Sequence, residues 1–524
     1  MSFDPPSGPP PSGPPPGETS ETLESHGGAP QQGGRSRRTT VLASVGAVGV
    51  LAAGGATWAA WSFFSTGAQP AEALPASTVA YASIDLDPSG GQKIAALRTL
   101  SKFPAFEDVV GLDADDDVRR WIFDRAAAEA GCDGLDYDDD VAPWLGDRFA
   151  AAAVDTGADG VVPAVVLQVT DEGAAGTGLD ALSACGGDDI AAWSIRDGWA
   201  VLAETQELAD GIAGDAAEGS LADDDDFRHW TDEAGDSGIV SMYAAPEVGD
   251  FLAEDLGVSP GAEVLEGFAG AAATLRFDDG GVELEVVSDT AAAGAFPQGD
   301  QAGDLVASLP EDTVAAFGLS MGEGWFDEVL GRLGDLSGEA PDELIAEASE
   351  ELGIDLPDDA ETLAGDALAL AIGADFDPEL GTLSPGALES EPSIGAGVKI
   401  HGDPAGIEGV LDKVRAAAAG ELGSTLDSDA GDDVVAVGPD AAYRERLLDD
   451  GGLGDTDAFQ GVVEHSDAAG AVLYVDVDGS KAWLTDLWGD DPEVRDNLEP
   501  LDALGLSTWQ DGDTSHAVLK VTTD

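Results

Sequence analysis

Positive charge is what this chain most lacks. It has 22 lysines and arginines against 104 aspartates and glutamates over 524 residues, a net charge of −82. Such a field repels nucleic acid and anionic lipid headgroups, so both are poor partners. Histidine is scarce as well. His229, His401, His465 and His516 are the four beyond the first 34 residues, and none stands at ligand spacing from a cysteine or another histidine. A zinc site therefore lacks its donors. There is no Walker A loop and no dinucleotide-binding fingerprint after a first strand. With two cysteines, Cys132 and Cys185, the chain is no disulfide-dense scaffold. A bridge between these two closes a loop of about 50 residues and contributes roughly 4 kcal/mol in the chain-entropy model; two inert buried thiols are the alternative.

Hydrophobic residues make up 43%, too many for a disordered acidic chain, and the length suits two or three domains. Residues 1–38 open on PPSGPPPSGPPPG and read as a disordered Pro/Gly-rich tail. Thr39–Phe64 then runs 26 residues without a charge, enough for a helix across the ~30 Å hydrocarbon core. Arg35, Arg37 and Arg38 precede it, and Trp58, Trp61, Phe63 and Phe64 close it. The pattern predicts an uncleaved signal anchor in a cell membrane, with the N-terminus cytoplasmic and the C-terminal region extracellular. The membrane is then one partner, and residues 65–72 are a linker.

Beyond that linker the chain repeats itself. Leu74-Pro75 and Thr78-Val79-Ala80 return as Leu309-Pro310 and Thr313-Val314-Ala315, and Trp144-Leu145-Gly146-Asp147 returns as Leu363-Ala364-Gly365-Asp366. Leu221, Asp223, Asp225 and Phe227 return as Leu453, Asp455, Asp457 and Phe459. The expected class is α+β: a tandem duplication of an antiparallel-sheet-plus-helices unit, one copy at 73–290 and one at 305–524, joined by 291–304. Adjacent alternating runs such as TVAYASI and TVAAFGLS favour antiparallel pairing, and Asp279-Gly280 and Asp511-Gly512 mark hairpin turns.

Two patterns carry candidate chemistry. Gly318-Leu319-Ser320-Met321-Gly322 matches the nucleophile elbow G-x-S-x-G, with Asp366 and then His465 or His516 following in a workable order. Against it, the elbow belongs to a parallel sheet, and the first copy carries Ser83-Ile84-Asp85 there without the glycines. Asp113, Asp115 and Asp117, and again Asp136, Asp138 and Asp140, open like calcium loops. Both sets place valine (Val118, Val141) where the sharp turn needs glycine, and aspartate where position twelve usually has glutamate. A solvated acidic surface accounts for them better. No cofactor is predicted, calcium being the ion these residues suit.

The Pro-rich tail, RSRR before the anchor, ALPASTVAYASIDLDPSGGQ, KFPAF (Lys102–Phe106) and DVAPWLGDRFA (140–150) together resemble an uncharacterised family of actinobacterial membrane proteins, domain of unknown function 3352. The likeness spans about residues 35–524. It implies a single-pass anchor with an extracytoplasmic domain and supplies no catalytic residues. The expectation is a non-catalytic binder of an unknown ligand or cell-envelope protein. A serine hydrolase using Ser320 and a structural or assembly factor of the envelope are the alternatives.

Overall fold

The structure, a computed structural model, describes residues 69–524 apart from 87–91, 105, 107–116, 131, 133, 158–159, 187–191, 250–267, 279, 290–298, 323, 327–328, 331–344, 347–348, 350–352, 377–394, 418–425 and 489–491. Strands form where apolar residues alternate with smaller or polar ones. In β1 (Thr78–Asp85), for example, Val79 and Tyr81 are buried on one side while Ala80 and Ala82 are less so. The other strands of the first half are β2 (Leu145–Asp155), β3 (Val161–Val169), β4 (Ala192–Arg196), β5 (Trp199–Ala203), β6 (Val240–Ala244), β7 (Ala271–Asp278) and β8 (Gly281–Asp289). Those of the second are β9 (Thr313–Ser320), β10 (Ala367–Gly373), β11 (Ala396–His401), β12 (Ser428–Ala430), β13 (Val434–Val437), β14 (Ala471–Asp476), β15 (Leu501–Asp511) and β16 (Thr514–Thr523).

All of them join one 16-stranded antiparallel sheet, ordered β12-β13-β11-β10-β9-β14-β15-β16-β8-β7-β6-β1-β2-β3-β5-β4. This corrects the expectation of two separate sheet-plus-helices units. β8 pairs with β16 from Asp289↔Thr514 to Gly281↔Thr522, so the sheet runs through the middle without a break. The physical reason is the edge. Each half would otherwise end on a long hairpin strand with an unpaired row of N–H and C=O groups, and pairing the two edges satisfies both. Read inward from either end, the two halves follow the same strand order.

The expected anchor Thr39–Phe64 lies outside the described residues, as do 1–38. Among the described residues no helix is long and apolar enough to cross a membrane. The longest, Glu172–Gly186, has 15 residues, short of the ~20 a crossing takes. Others are broken by charge, as Val118–Ala130 is by Arg119, Arg120 and Asp124. The expectations of a membrane-spanning helix, a single-pass topology and a cell-membrane location are corrected to this extent: none of the described helices supports them.

Helices cover both faces of the sheet. On the first face, Gln206–Glu218 and Asp225–Glu233 bury Ile212 and Trp230 against Tyr81, Tyr243 and Val287. In the second half Ala302–Ala307, Ala441–Leu448 and Asp457–Val462 bury Val306, Leu447 and Phe459 against Ala316, Ala369 and Tyr474. Each large side chain so buried contributes about 1.5–3 kcal/mol. The approach is close at Gly505 of β15, where a Cβ would stand 2.2 Å from the Val462 carbonyl oxygen. On the second face, Gln92–Leu100 packs Ala96 and Leu100 on Ile84, Met242 and Leu275. Glu172–Gly186 and Pro404–Ala417 cover the outer strands of either half, Pro404–Ala417 setting Ile407 and Leu411 on Leu368, Val398 and Ile400.

Candidate functional site

Ser320 is the last residue of β9, which is antiparallel to both β10 and β14. Its hydroxyl accepts the amide protons of Gln301 and Ala302 at 2.9 and 2.7 Å, where helix Ala302–Ala307 begins. Ser320 is only 1% exposed, and Gly299 lies so close over it that a Cβ there would be 2.4 Å from the serine Cβ. The remaining members of the supposed set face elsewhere. Asp366 approaches His401 Nδ1 at 3.6 Å, His465 lies against Trp509, and His516 Nδ1 stands 3.6 Å from Glu285. The geometry makes Ser320 a helix cap, which satisfies amides that a helix start leaves without partners.

Of the paired acid runs, Asp113 and Asp115 lie outside the described residues. Asp117 is taken by Arg119 at 2.9 Å and by the Tyr137 hydroxyl, which donates to it at 2.7 Å. Burial works against its charge, but these two partners hold its carboxyl below the usual range. Asp136 accepts the Asp139 amide, Asp140 accepts the Asp136 amide, and Asp138 pairs with Arg120. Their oxygens are turned to backbone and guanidinium rather than to a common point. A different group, Asp478, Asp502 and Asp524, brings carboxylate oxygens within 4.8 Å of one another. The Lys481 ammonium already pairs with Asp478 and lies 3.9 Å from Asp524. Cys132 is buried and disulfide-bonded, Cys185 being the other cysteine of the sequence.

A row of charge crosses the first face where the halves meet. Arg276 of β7 holds Glu283 and Glu285 of β8 at 2.9 and 2.6 Å. Lys520 of β16 reaches Glu283 at 3.4 Å and Glu464, beyond helix Asp457–Val462, at 2.7 Å. Trp509 of β15 stacks parallel to His516 at 5.0 Å and also lies against His465 at 4.3 Å. Burial pushes the Glu283 carboxyl up, and Arg276 pulls it back in part. Burial disfavours the Lys520 charge, yet Glu464 and Glu283 hold its ammonium above the usual value. These groups are paired with one another and tie the halves together.

The second face differs. Phe317 of β9 and Leu370 of β10 are register partners and are 40% and 42% exposed. Their neighbours in the same row are Leu473 of β14 and Val398 of β11. The equivalent places in the first half, three residues before the ends of β1 and β9 and three after the starts of their partners' pairings, hold Ala82 opposite Ala151. The second half thus presents two large apolar groups where the first presents methyls. The result is an open apolar bay beside helix Pro404–Ala417. Asp366 and Asp433 stand just before β10 and β13, 3.6 and 3.8 Å from the ring nitrogens of His401, with side chains 63% and 73% exposed. Sequence reasoning missed this bay: alternation in TVAAFGLS separates Phe317 from the buried Ala316, but nothing local says what lies over it. The charged row was missed too, although Glu283-x-Glu285 and His516 with Lys520 show its period-two signal.

Compared with protein-family models, with curated proteins and with solved structures, the chain finds no match.

Proposed function

We propose that this chain is a non-catalytic binding protein whose binding surface is the apolar bay around Phe317 and Leu370. The observation that carries the reading is their exposure: two large apolar side chains stand open as a register pair on the sheet face that helix Pro404–Ala417 covers at β10, β11 and β13. The groups suited to catalysis have structural work instead, Ser320 as a cap and the charged row as a junction. A net charge of −82 argues that the ligand is neither nucleic acid nor another polyanion. Membership of the domain of unknown function 3352 family is part of this proposal and adds no catalytic residue to it.

Binding of the uncharged dye Nile red to the full chain tests the reading. Its fluorescence is expected to rise on the native protein and to fall back in the Phe317→Ser/Leu370→Ser double variant, with the melting temperature held. An unchanged signal in a folded variant would place the apolar site elsewhere and remove the proposal.

A further inference from the structure

The junction of the two halves obeys a twofold rule. In the first half the turn after Asp278 starts β8 at Gly281, and in the second the turn after Asp511 starts β16 at Thr514. Counted from that turn, the first residue of either strand faces the ninth of the other: Gly281 faces Thr522, and Thr514 faces Asp289. The third faces the seventh, which sets Glu283 against Lys520 and His516 against Val287. The fifth faces the fifth, Glu285 opposite Val518. With the mirrored strand order, this is the isologous contact of a twofold dimer, made between two copies within one chain.

We infer that the end strand of each half is a recognition surface for the unlike half, and that Glu285, on the axis, rejects the like one. The partner is the other half of the same chain or of a second copy. This is independent of the binding role given to the apolar bay. Rejection of like halves keeps pairing within the chain, where the linker gives the right partner a high effective concentration.

A backbone that pairs by a twofold rule fits like strands as well as unlike ones, so side chains decide. In the unlike pairing the first half brings Arg276, Glu283 and Glu285, and the second brings Lys520, which reaches Glu283 at 3.4 Å. Two cations there stand against two carboxylates. Two first halves joined by the same rule would gather Glu283 and Glu285 twice against Arg276 twice, with Glu285 directly opposite its own copy. Like charges so placed destabilise a strand pair, and burial makes them more costly. Glu283 is only 7% exposed. Two second halves would set Lys520 opposite His516 and take Glu283 from it, leaving Glu464. On the second face Lys102 of the first half donates to the Thr523 carbonyl and hydroxyl oxygens at 3.2 and 2.9 Å, a further contact between unlike halves.

The test uses the full chain with a protease recognition sequence placed in 291–298 and cut after folding, in an ordinary and an isotope-labelled preparation. The two are mixed, held in urea just below the denaturation midpoint so that halves exchange, returned to buffer and weighed by native mass spectrometry. The expected complex is one first half with one second half, scrambled for label, with like pairs about tenfold rarer or more. Glu285→Gln keeps the size and an oxygen for Arg276 but removes the charge, and should raise the pairs of first halves about tenfold. Lys520→Met takes from Glu283 its partner in the unlike complex and should raise like pairs as well, which covers the case in which Glu285→Gln does not fold. Statistical re-pairing in the parent, about one like pair of each kind for every two unlike pairs, overturns the inference. Separation of the cut chain into single halves, or an unchanged partition in a folded variant, overturns it too.

Discussion

Glu285 of β8 and His516 of β16 face each other at 3.6 Å across the junction of the two halves. Around them Arg276, Glu283, Lys520 and Glu464 form a chain of ion pairs that runs from β7 to the end of helix Asp457–Val462. Strand pairing joins the halves along the backbone, and this row joins them through side chains on one face. Because the members are largely buried, the loss of one leaves a partner uncompensated in a medium that solvates charge poorly.

Replacing Arg276 by methionine is therefore expected to cost about 3–5 kcal/mol, since two carboxylates lose the cation between them. Urea denaturation followed by tryptophan fluorescence measures this. A loss below ~1 kcal/mol would mean that the row is solvated and contributes little.

Ser320→Ala removes the acceptor of two helix-start amides and should lower stability by about 1–2 kcal/mol. Any esterase activity of the purified chain should be the same in the variant. A selective loss of turnover with stability intact would restore the serine to a chemical role.

Asp117 and Glu283 should respond to pH with opposite signs. The Asp117 carboxyl is held below its usual value despite its burial, so its contribution is present above the unfolded value and is lost as pH falls through the folded one. The destabilisation caused by Asp117→Asn should then grow between about pH 3 and pH 7. Burial raises Glu283, so the fold holds its proton more tightly than the unfolded chain does, and that contribution fades as pH rises. The cost of Glu283→Gln should shrink over the same range. Denaturation midpoints at several pH values, for both variants beside the parent, separate the two trends.

Cys132→Ser opens the disulfide and is expected to lower stability by up to about 4 kcal/mol, the value for a loop of roughly 50 residues. The same loss should follow addition of reductant to the parent protein and not to the variant. A reductant effect that persists in the variant would rule out this origin.

By itself the sequence determined the net charge of −82 and the alternation that marks strands such as Thr78–Asp85 and Thr313–Ser320. Those properties are local or additive: charge sums over the chain, and alternation of period two or 3.6 is set by neighbouring residues. The hairpin β15–β16 turns at Asp511-Gly512, where Gly512 takes a positive φ of 62° that suits glycine. What the sequence could not carry was the joining of β8 to β16, because residues more than 200 positions apart leave no trace in a local pattern. The same limit governed Ser320, whose motif reads as a nucleophile until Ala302 is seen donating to its hydroxyl. It governed Phe317 and Leu370 as well. Alternation assigns a side chain to one face of a strand, and only the packing of distant helices decides whether that face is closed or open.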